Sequence, residues 1–510
     1  MNRTPQKGIA LILTLIIVFV MSVMAVSLMF ISQTETWSSM NYRLMSQARD
    51  GAEAGINSAA NYIVNTYTSP GGAGDPTTAY NVKVSPVQSP STATSGNDVI
   101  LTTISGHTSN YPVNSVTTAF NTSGVGKGSI TAGNLTINYN TEATLLSMHT
   151  AFTPFGTVTP QTVQTWKIVS DGSVSTIRNA KVEVSAILEQ HITPTFNYAA
   201  YATNNGCSAL TFGGGGTTNS YDSSTYSGTG TPTFSTADGN VGTNGNLNTL
   251  GASTTINGDL FTPRAGTGAC SVSNVTAWTD SSGTINGSIV ELPQAINYPT
   301  PALPSPMPGT TSTTLNNKAT DCGTINGCTY GSPVAGDFYL APGTCPPAVG
   351  GPGVYDNITI KGTVHLSTAA LGTKACYNIN SLTENGQGTL VIDSGPVILN
   401  LAGVGTSTPL DITGGGMINS VAPAYNPMSL QILYAGSGTI KLKGGGQSIG
   451  VMYAPNASYS IGGGADWYGS LIGGTLTDMG GSAIHYDRHL ANAGFTVGNW
   501  MLDSFTWKKY

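Results

Sequence analysis

Between Ile9 and Ile31 the chain reads IALILTLIIVFVMSVMAVSLMFI, twenty-three residues without a charge. As a helix rising about 1.5 Å per residue this run is roughly 34 Å long, enough to cross the hydrocarbon core of a bilayer. The leader before it, MNRTPQKG, carries Arg3 and Lys7 and no acid. That charge favours holding the N-terminal end in the cytoplasm, with the remainder of the chain on the other side. A cleavable secretory signal has a shorter apolar core ending at a small-x-small site. Ala25-Val26-Ser27 has that form, but Leu28-Met29-Phe30-Ile31 carry the apolar run straight through it.

Lys7-Gly8-Ile9 distinguishes this N-terminus from a plain anchor: a basic leader, one glycine, then the hydrophobic helix at once. The arrangement resembles the prepilin leader of type IV pilins and pseudopilins. The resemblance implies a prepilin peptidase as partner, cleavage between Gly8 and Ile9, and N-methylation of Ile9. Where major pilins carry a glutamate as fifth residue of the mature chain, this sequence has Leu13. PilX-type minor pilins tolerate that departure, and Ala48-Arg49-Asp50-Gly51-Ala52-Glu53-Ala54-Gly55-Ile56 is similar to the A-x-x-A-A-E-A-G-L stretch of their N-terminal regions. The two signatures cover about the first 65 residues. They imply an inner-membrane precursor that becomes part of a pilus or secretion pseudopilus at the cell surface. Other pilins are then partners through the helix, with Leu13, Ala48, Ala52, Glu53, Ala54 and Gly55 packing in the filament.

From Ser32 to about Tyr67 there is no proline, and Met40, Leu44, Ala48, Ala52, Ile56, Ala59, Ala60 and Ile63 recur every three or four residues. That spacing makes one apolar stripe on a helix continuing from the membrane run to about residue 67. The stripe has two readings: packing on the chain's own globular head, or packing on neighbouring helices in a filament. Gly51 and Gly55 weaken the helix but let another backbone come close. Pro70-Gly71-Gly72 ends it.

Residues 68–200 read as an α+β, pilin-like head. Strands are expected over 98–104 and 133–139, followed by a hairpin in which 165–170 turns at Asp171-Gly172-Ser173 into 180–188. Asp-Gly between alternating segments is a strong hairpin signal.

Beyond about residue 200 short apolar pieces alternate with glycine and asparagine, as in 240–247 and 255–261, and again in 357–366, 389–392, 396–401, 430–434 and 439–442. Short strands punctuated in this way suggest the coils of a β-solenoid resembling a right-handed parallel β-helix, over residues 201–495. A β-sandwich is the alternative, but the strands are short for one. The proline-rich stretch 292–310 is expected to be a loop wrapping the solenoid, and the aromatic tail 496–510 to cover its open end. The pieces at 451–457, 463–473 and 480–487 resemble a domain of uncharacterised function found with PilX-like N-termini.

Charge is scarce, with 18 Lys plus Arg, 24 Asp plus Glu and a net charge of -6 against 65 Gly. No basic run suits a phosphate backbone, so nucleic acid is not an expected partner. Six cysteines, Cys207, Cys270, Cys322, Cys328, Cys345 and Cys376, fall in one span. An even count in an exported segment indicates disulfides. Zinc is disfavoured because no pair is spaced C-x2-C and no histidine adjoins Cys322 and Cys328. Fifteen pairings are open, Cys322–Cys328 being the easiest local loop.

His485, Asp487 and His489 share one face if their segment is a strand, a pattern that suits metal binding or acid-base work. A terminal coil satisfying its own backbone is the simpler reading. Asp393, Asp411 and Asp466 are spaced to lie on different coils, so a polysaccharide-cleaving groove is compatible with the sequence, though most acids adjoin glycine at turns. Asp238-Gly239-Asn240 lacks the calcium-loop pattern, and Gly213–Gly216 lacks the Lys-Ser or Lys-Thr of a phosphate loop. Trp467, Tyr468, Trp500, Phe505, Trp507 and Tyr510 suit either core packing or stacking on a sugar.

The expectation is therefore a structural subunit without enzymatic activity, cofactor or metal. It would display its solenoid at a filament tip, since Leu13 cannot neutralise a neighbour's N-terminal amine, with a surface glycan or cell ligand as a further partner. The alternative is a membrane-anchored surface protein that binds or cleaves polysaccharide.

Overall fold

The computed structural model describes residues 9–65, 81–89, 97–111, 113–152, 155–157, 161–175, 179–228, 230–323, 325–369, 371, 374–419 and 424–509. Two compact units are present, one of residues 1–152, 161–191 and 500–510, the other of 153–160 and 192–499. In chain order the second is an insertion into the first.

The first unit begins with one unbroken helix, α1, Ile9–Asn65. Its buried positions are Leu44, Ala48, Gly51, Ala52, Gly55, Ile56, Ala59, Ala60, Tyr62 and Ile63, so the expected stripe holds from Leu44 onward. Met40 stays half exposed. The stripe lies on a sheet ordered 100–102, 135–152, 161–174, 180–194 and 495–509, with 127–132 also paired to 135–152. Leu135–Phe152 and Gln161–Val174 are long antiparallel neighbours, and α1 packs on both.

Two expectations change here. Asp171-Gly172 is not the hairpin turn. The strand runs through it to Val174, with Gly172 opposite Val182. A Cβ on Gly172 would overlap the Ala48 carbonyl oxygen and stand 2.5 Å from the Ala52 nitrogen. The glycine is there because the helix backbone lies directly over the strand. The tail is also not a solenoid cap: Phe495–Lys509 is a strand of the head sheet, and Trp500 and Leu502 pack against the head core. Tyr510 lies outside the described residues.

The second unit is a β-solenoid whose coils stack in parallel register. One inward ladder runs Leu382, Leu410, Ile440, Tyr459, Leu476, Leu210, Leu247, each directly above the last. A second runs Leu399, Ile432, Met452, Leu471, Ala200, Val241, Leu260. All are fully buried or nearly so, and removing one neighbour from such a column exposes the faces of two others.

The ladders show that stack order is not chain order. Asp466–Met479 pairs with Gln447–Gly462 on one side and, on the other, with Ala200–Ala202 and Leu210–Gly213. The stack thus begins near Ser312, climbs to Asp487, continues at Ala200 and ends at Glu291. Residues 292–311 must then return from one end to the other. They do so as an extended strap, not as a loop wound around the coils: Leu292 bonds to Thr262, Ile296 to Asn244, Pro299 to Tyr453, Pro306 to Asn378 and Thr311 to Asn357. From Ile296 to Gly309 the strap passes seven coil junctions, roughly 34 Å at about 4.8 Å each, which about 3.1 Å per residue of a proline-rich chain covers.

The six cysteines form Cys207–Cys270, Cys322–Cys328 and Cys345–Cys376, with Cα atoms 5.7, 5.4 and 5.1 Å apart.

Candidate functional site: the N-terminal helix and its seat

No residue of the most apolar stretch of α1 is buried within the chain. Ile9, Leu11, Ile12, Leu13, Leu15, Phe19, Met21, Leu28 and Phe30 are all more than half exposed. In water such a surface requires cover, and a bilayer or a bundle of like helices supplies it. Thr14, Ser22 and Thr34 return their hydroxyl hydrogens to carbonyls one turn back, so these three polar side chains are satisfied within the helix. Gly8 lies outside the described residues, as does the rest of the leader; Ile9 is the first described residue and begins the helix.

From Leu44 the same helix becomes the central element of the head. Ala48 and Ala52 are fully buried against the sheet. Cβ atoms placed on Gly51 and Gly55 would strike Ile137, and Ser170 with Thr141, respectively. The close approach that the four-residue glycine spacing permits is therefore used by the chain's own strands, and Ala48, Ala52 and Gly55 have no surface left for a neighbouring subunit. Glu53 and Ala54 are half exposed. Glu53 accepts from Arg49 Nε at 2.7 Å, one helical turn back. The Arg49 guanidinium carbon sits 5.8 Å from the centre of the Trp507 ring, and both line a groove of about 120 Å³ with Tyr42, Met45, Ser46 and Val182. Trp507 stood out in the sequence as an aromatic of the tail, but its place beside Arg49, and this groove, depend on the pairing of the C-terminal strand with the head sheet.

The acid-base constellations of the sequence do not converge. His485 is buried, its Nδ1 2.6 Å from Asn219 Oδ1, and burial pushes its pKa down to about 4. Asp487 accepts from the backbone and hydroxyl of Ser223 and from the backbone of His489, at the point where the strand gives way to a 3-10 turn. Asp393 pairs with His365 and Asp411 with Lys441, while Asp466 lies 3.9 Å from His485. Trp467 and Tyr468 are almost wholly buried, which is the core-packing reading. Among the described residues no group of three or more His, Cys, Asp and Glu side chains could hold a metal ion.

One buried acid was not singled out in the sequence. Glu384 is fully buried, accepts from Gly416 N–H at 2.6 Å through Oε1, and has no partner on Oε2. Desolvation raises its pKa from 4.5 to about 8. A raised folded-state value means the stability it contributes is complete below about pH 4.5 and is lost as pH rises toward 8. Glu384→Gln removes that slope. Thermal melts of the purified chain are expected to show little difference from the parent at pH 4 and a gain on the order of 3 kcal/mol for the variant at pH 7. Parallel melting curves for the two proteins across that range would contradict the assignment.

The helix is long and apolar enough to cross a membrane, bare over its first half and seated on the head sheet over its second. Residues 7–57 match the PilX N-terminal family, so the N-terminal segment is PilX-like. Residues 356–493 match a domain of unknown function. That match begins within the strand Val354–Ile360 and ends just past Ala483–Asp487, the solenoid strand that comes last in chain order. Among curated proteins none matches the sequence. Of solved structures, the competence-associated pilin ComZ from Thermus thermophilus aligns at 12% identity over 92% of this chain and 98% of its own, with a TM-score of 0.29. A likeness at that level carries no argument about fold or role.

Proposed function

We propose that this chain is a minor pilin-like subunit of a type IV pilus or related pseudopilus. Its helix anchors the precursor in the inner membrane and then enters the filament, carrying the solenoid outside. The observation that supports this most is the division of labour along α1: an uncovered apolar half that suits lipid first and other helices later, and a second half fixed to the head. Subunit packing then falls to Ile9–Ile31, with Leu13 among them, and to the exposed sides of Glu53 and Ala54. A prepilin peptidase would cut after Gly8 and expose Ile9 for methylation.

Leu13 favours the tip. Lacking a carboxylate, it cannot neutralise the N-terminal amine of an adjacent subunit, and at the end of a filament one such pairing is dispensable. Labelling a solenoid epitope on sheared filaments is expected to mark one end of each. Even decoration along the shaft would overturn the tip assignment. A structural role rather than a catalytic one, and adhesion to a surface glycan through the solenoid, belong to the same proposal. Binding of the whole protein to a glycan array without release of sugar is the expected result for adhesion.

A further inference from the structure

Among the described residues, every coil junction of the solenoid but one joins coils that follow each other in the chain. The exception is the junction where Asp466–Met479 and Ala483–Asp487 meet Ala200–Ala202, Leu210–Gly213 and Thr217–Tyr221. The chain enters and leaves the solenoid at this seam: Thr195 N–H donates to Gly494 O at 2.9 Å, Tyr486 hydroxyl to Phe196 O at 2.8 Å, and Ser470 hydroxyl to Tyr198 O at 2.6 Å. A solenoid in simple order has its two termini at opposite ends of the stack. Moving the break to the middle brings them together, which is what insertion into another unit requires, and the strap is the consequence.

No disulfide crosses the seam. Cys207–Cys270 lies within the half built from 196–291, and Cys322–Cys328 and Cys345–Cys376 lie within the half built from 312–490. The strap does cross it, and its middle carries Tyr298, the aromatic side chain of the strap that joins the core. Ile296 exchanges hydrogen bonds with Asn244 of the first half. Tyr298, 7% exposed, stands between Tyr201 of the first half and Tyr453 of the second, with ring centres 5.0 and 6.2 Å away. Tyr453 hydroxyl donates to Pro299 O at 2.6 Å, and Thr300 meets Asn456 of the second half at 3.1 Å. Phe155 makes a second wedge, edge-on to Phe196 at 4.9 Å and to Tyr453 at 5.7 Å.

We infer that the solenoid is a permuted stack with one internal seam at which it opens locally, and that the proline-rich strap, keyed by Tyr298, is the clasp that holds that seam shut. Pairing across the seam uses the same backbone ladder as any other junction, but its two sides are linked through a long loop of chain, so the entropic cost of closing it is larger. The strap's stiffness and its buried tyrosine offset that cost. The inference is independent of pilus assembly and stands if that proposal falls.

Amide hydrogen exchange on the full chain tests it. Tyr298→Ala is expected to speed exchange at least tenfold in 200–213 and 471–487 while leaving 397–401 and 430–434 unchanged. A second variant carries a protease site inserted at the exposed Leu303, is folded first and cut afterwards, and is expected to show the same localised loss. It serves also if Tyr298→Ala does not fold. Thr217 and Ala483 are direct partners across the seam, so Thr217→Cys with Ala483→Cys is expected to restore protection in the cut chain. Loss spread evenly over all coils, no loss in the cut chain, or no rescue by the cross-seam disulfide would each overturn the inference.

Discussion

Gly172→Val is expected to unfold the head. The added side chain cannot be housed by a rotamer change, because the first atoms it meets are the main-chain oxygen of Ala48 and nitrogen of Ala52 in α1. Either the helix lifts off the strand or the strand bends. Both separate the buried face of Leu44, Ala48, Ala52 and Ile56 from Ile137 and Ile168, all at 5% exposure or less. A loss of about 4 kcal/mol or more follows, the size seen when core contact is broken rather than trimmed. Gly55→Ala is the informative contrast. Its neighbours are the hydroxyls of Ser170 and Thr141 and the edge of Tyr139, side-chain atoms that can give way. A better helix residue returns about 1 kcal/mol of the cost. Thermal denaturation of the two variants is expected to separate them clearly, and equal effects would mean that α1 does not lie on the strand at Gly172.

Removing Cys207–Cys270 by double alanine substitution is expected to be the most damaging of the three disulfide deletions. The bridge closes 63 residues, against 31 for Cys345–Cys376 and 6 for Cys322–Cys328. The chain-entropy relation gives about 4 kcal/mol for the first and about 2 kcal/mol for the last. Position adds to length. Cys270 lies in the loop that folds back on Trp278, where Gly268 N–H donates to the Trp278 carbonyl at 2.9 Å. That loop covers part of the final coil, whose remaining edge strands, Thr284–Ile285 and Ile289–Glu291, pair on one side only among the described residues. Releasing it exposes a parallel sheet edge, and such edges invite pairing with other chains. Melting of the deletions in the order given, with aggregation strongest for the first, is the expected outcome. Equal melting temperatures for all three would contradict the loop-length account.

What could be read in the sequence was local. The apolar run Ile9–Ile31, the stripe from Leu44 to Ile63, and strands such as 389–392 and 430–434 each announce themselves within a few turns or alternations. What could not be read was pairing between distant segments. Asp171-Gly172 has turn chemistry, and nothing nearby reveals that a helix more than a hundred residues earlier needs the missing Cβ. The tail 495–509 alternates like any edge strand, but its neighbour is 180–194, beyond the whole solenoid. The permutation was invisible for the same reason: coils of one pattern do not say which coil lies next to which. The ARDGAEAG stretch was legible as a close-packing surface, and the structure shows that the surface packed is the chain's own.

The central claim is that the bare half of α1 is a leader-processed helix that leaves the membrane for a filament. Mass spectrometry of the N-terminus of the chain recovered from surface fractions tests it most directly. The account predicts a mature protein starting at Ile9 with a methylated amine. A chain recovered with Met1 through Gly8 still attached would contradict it.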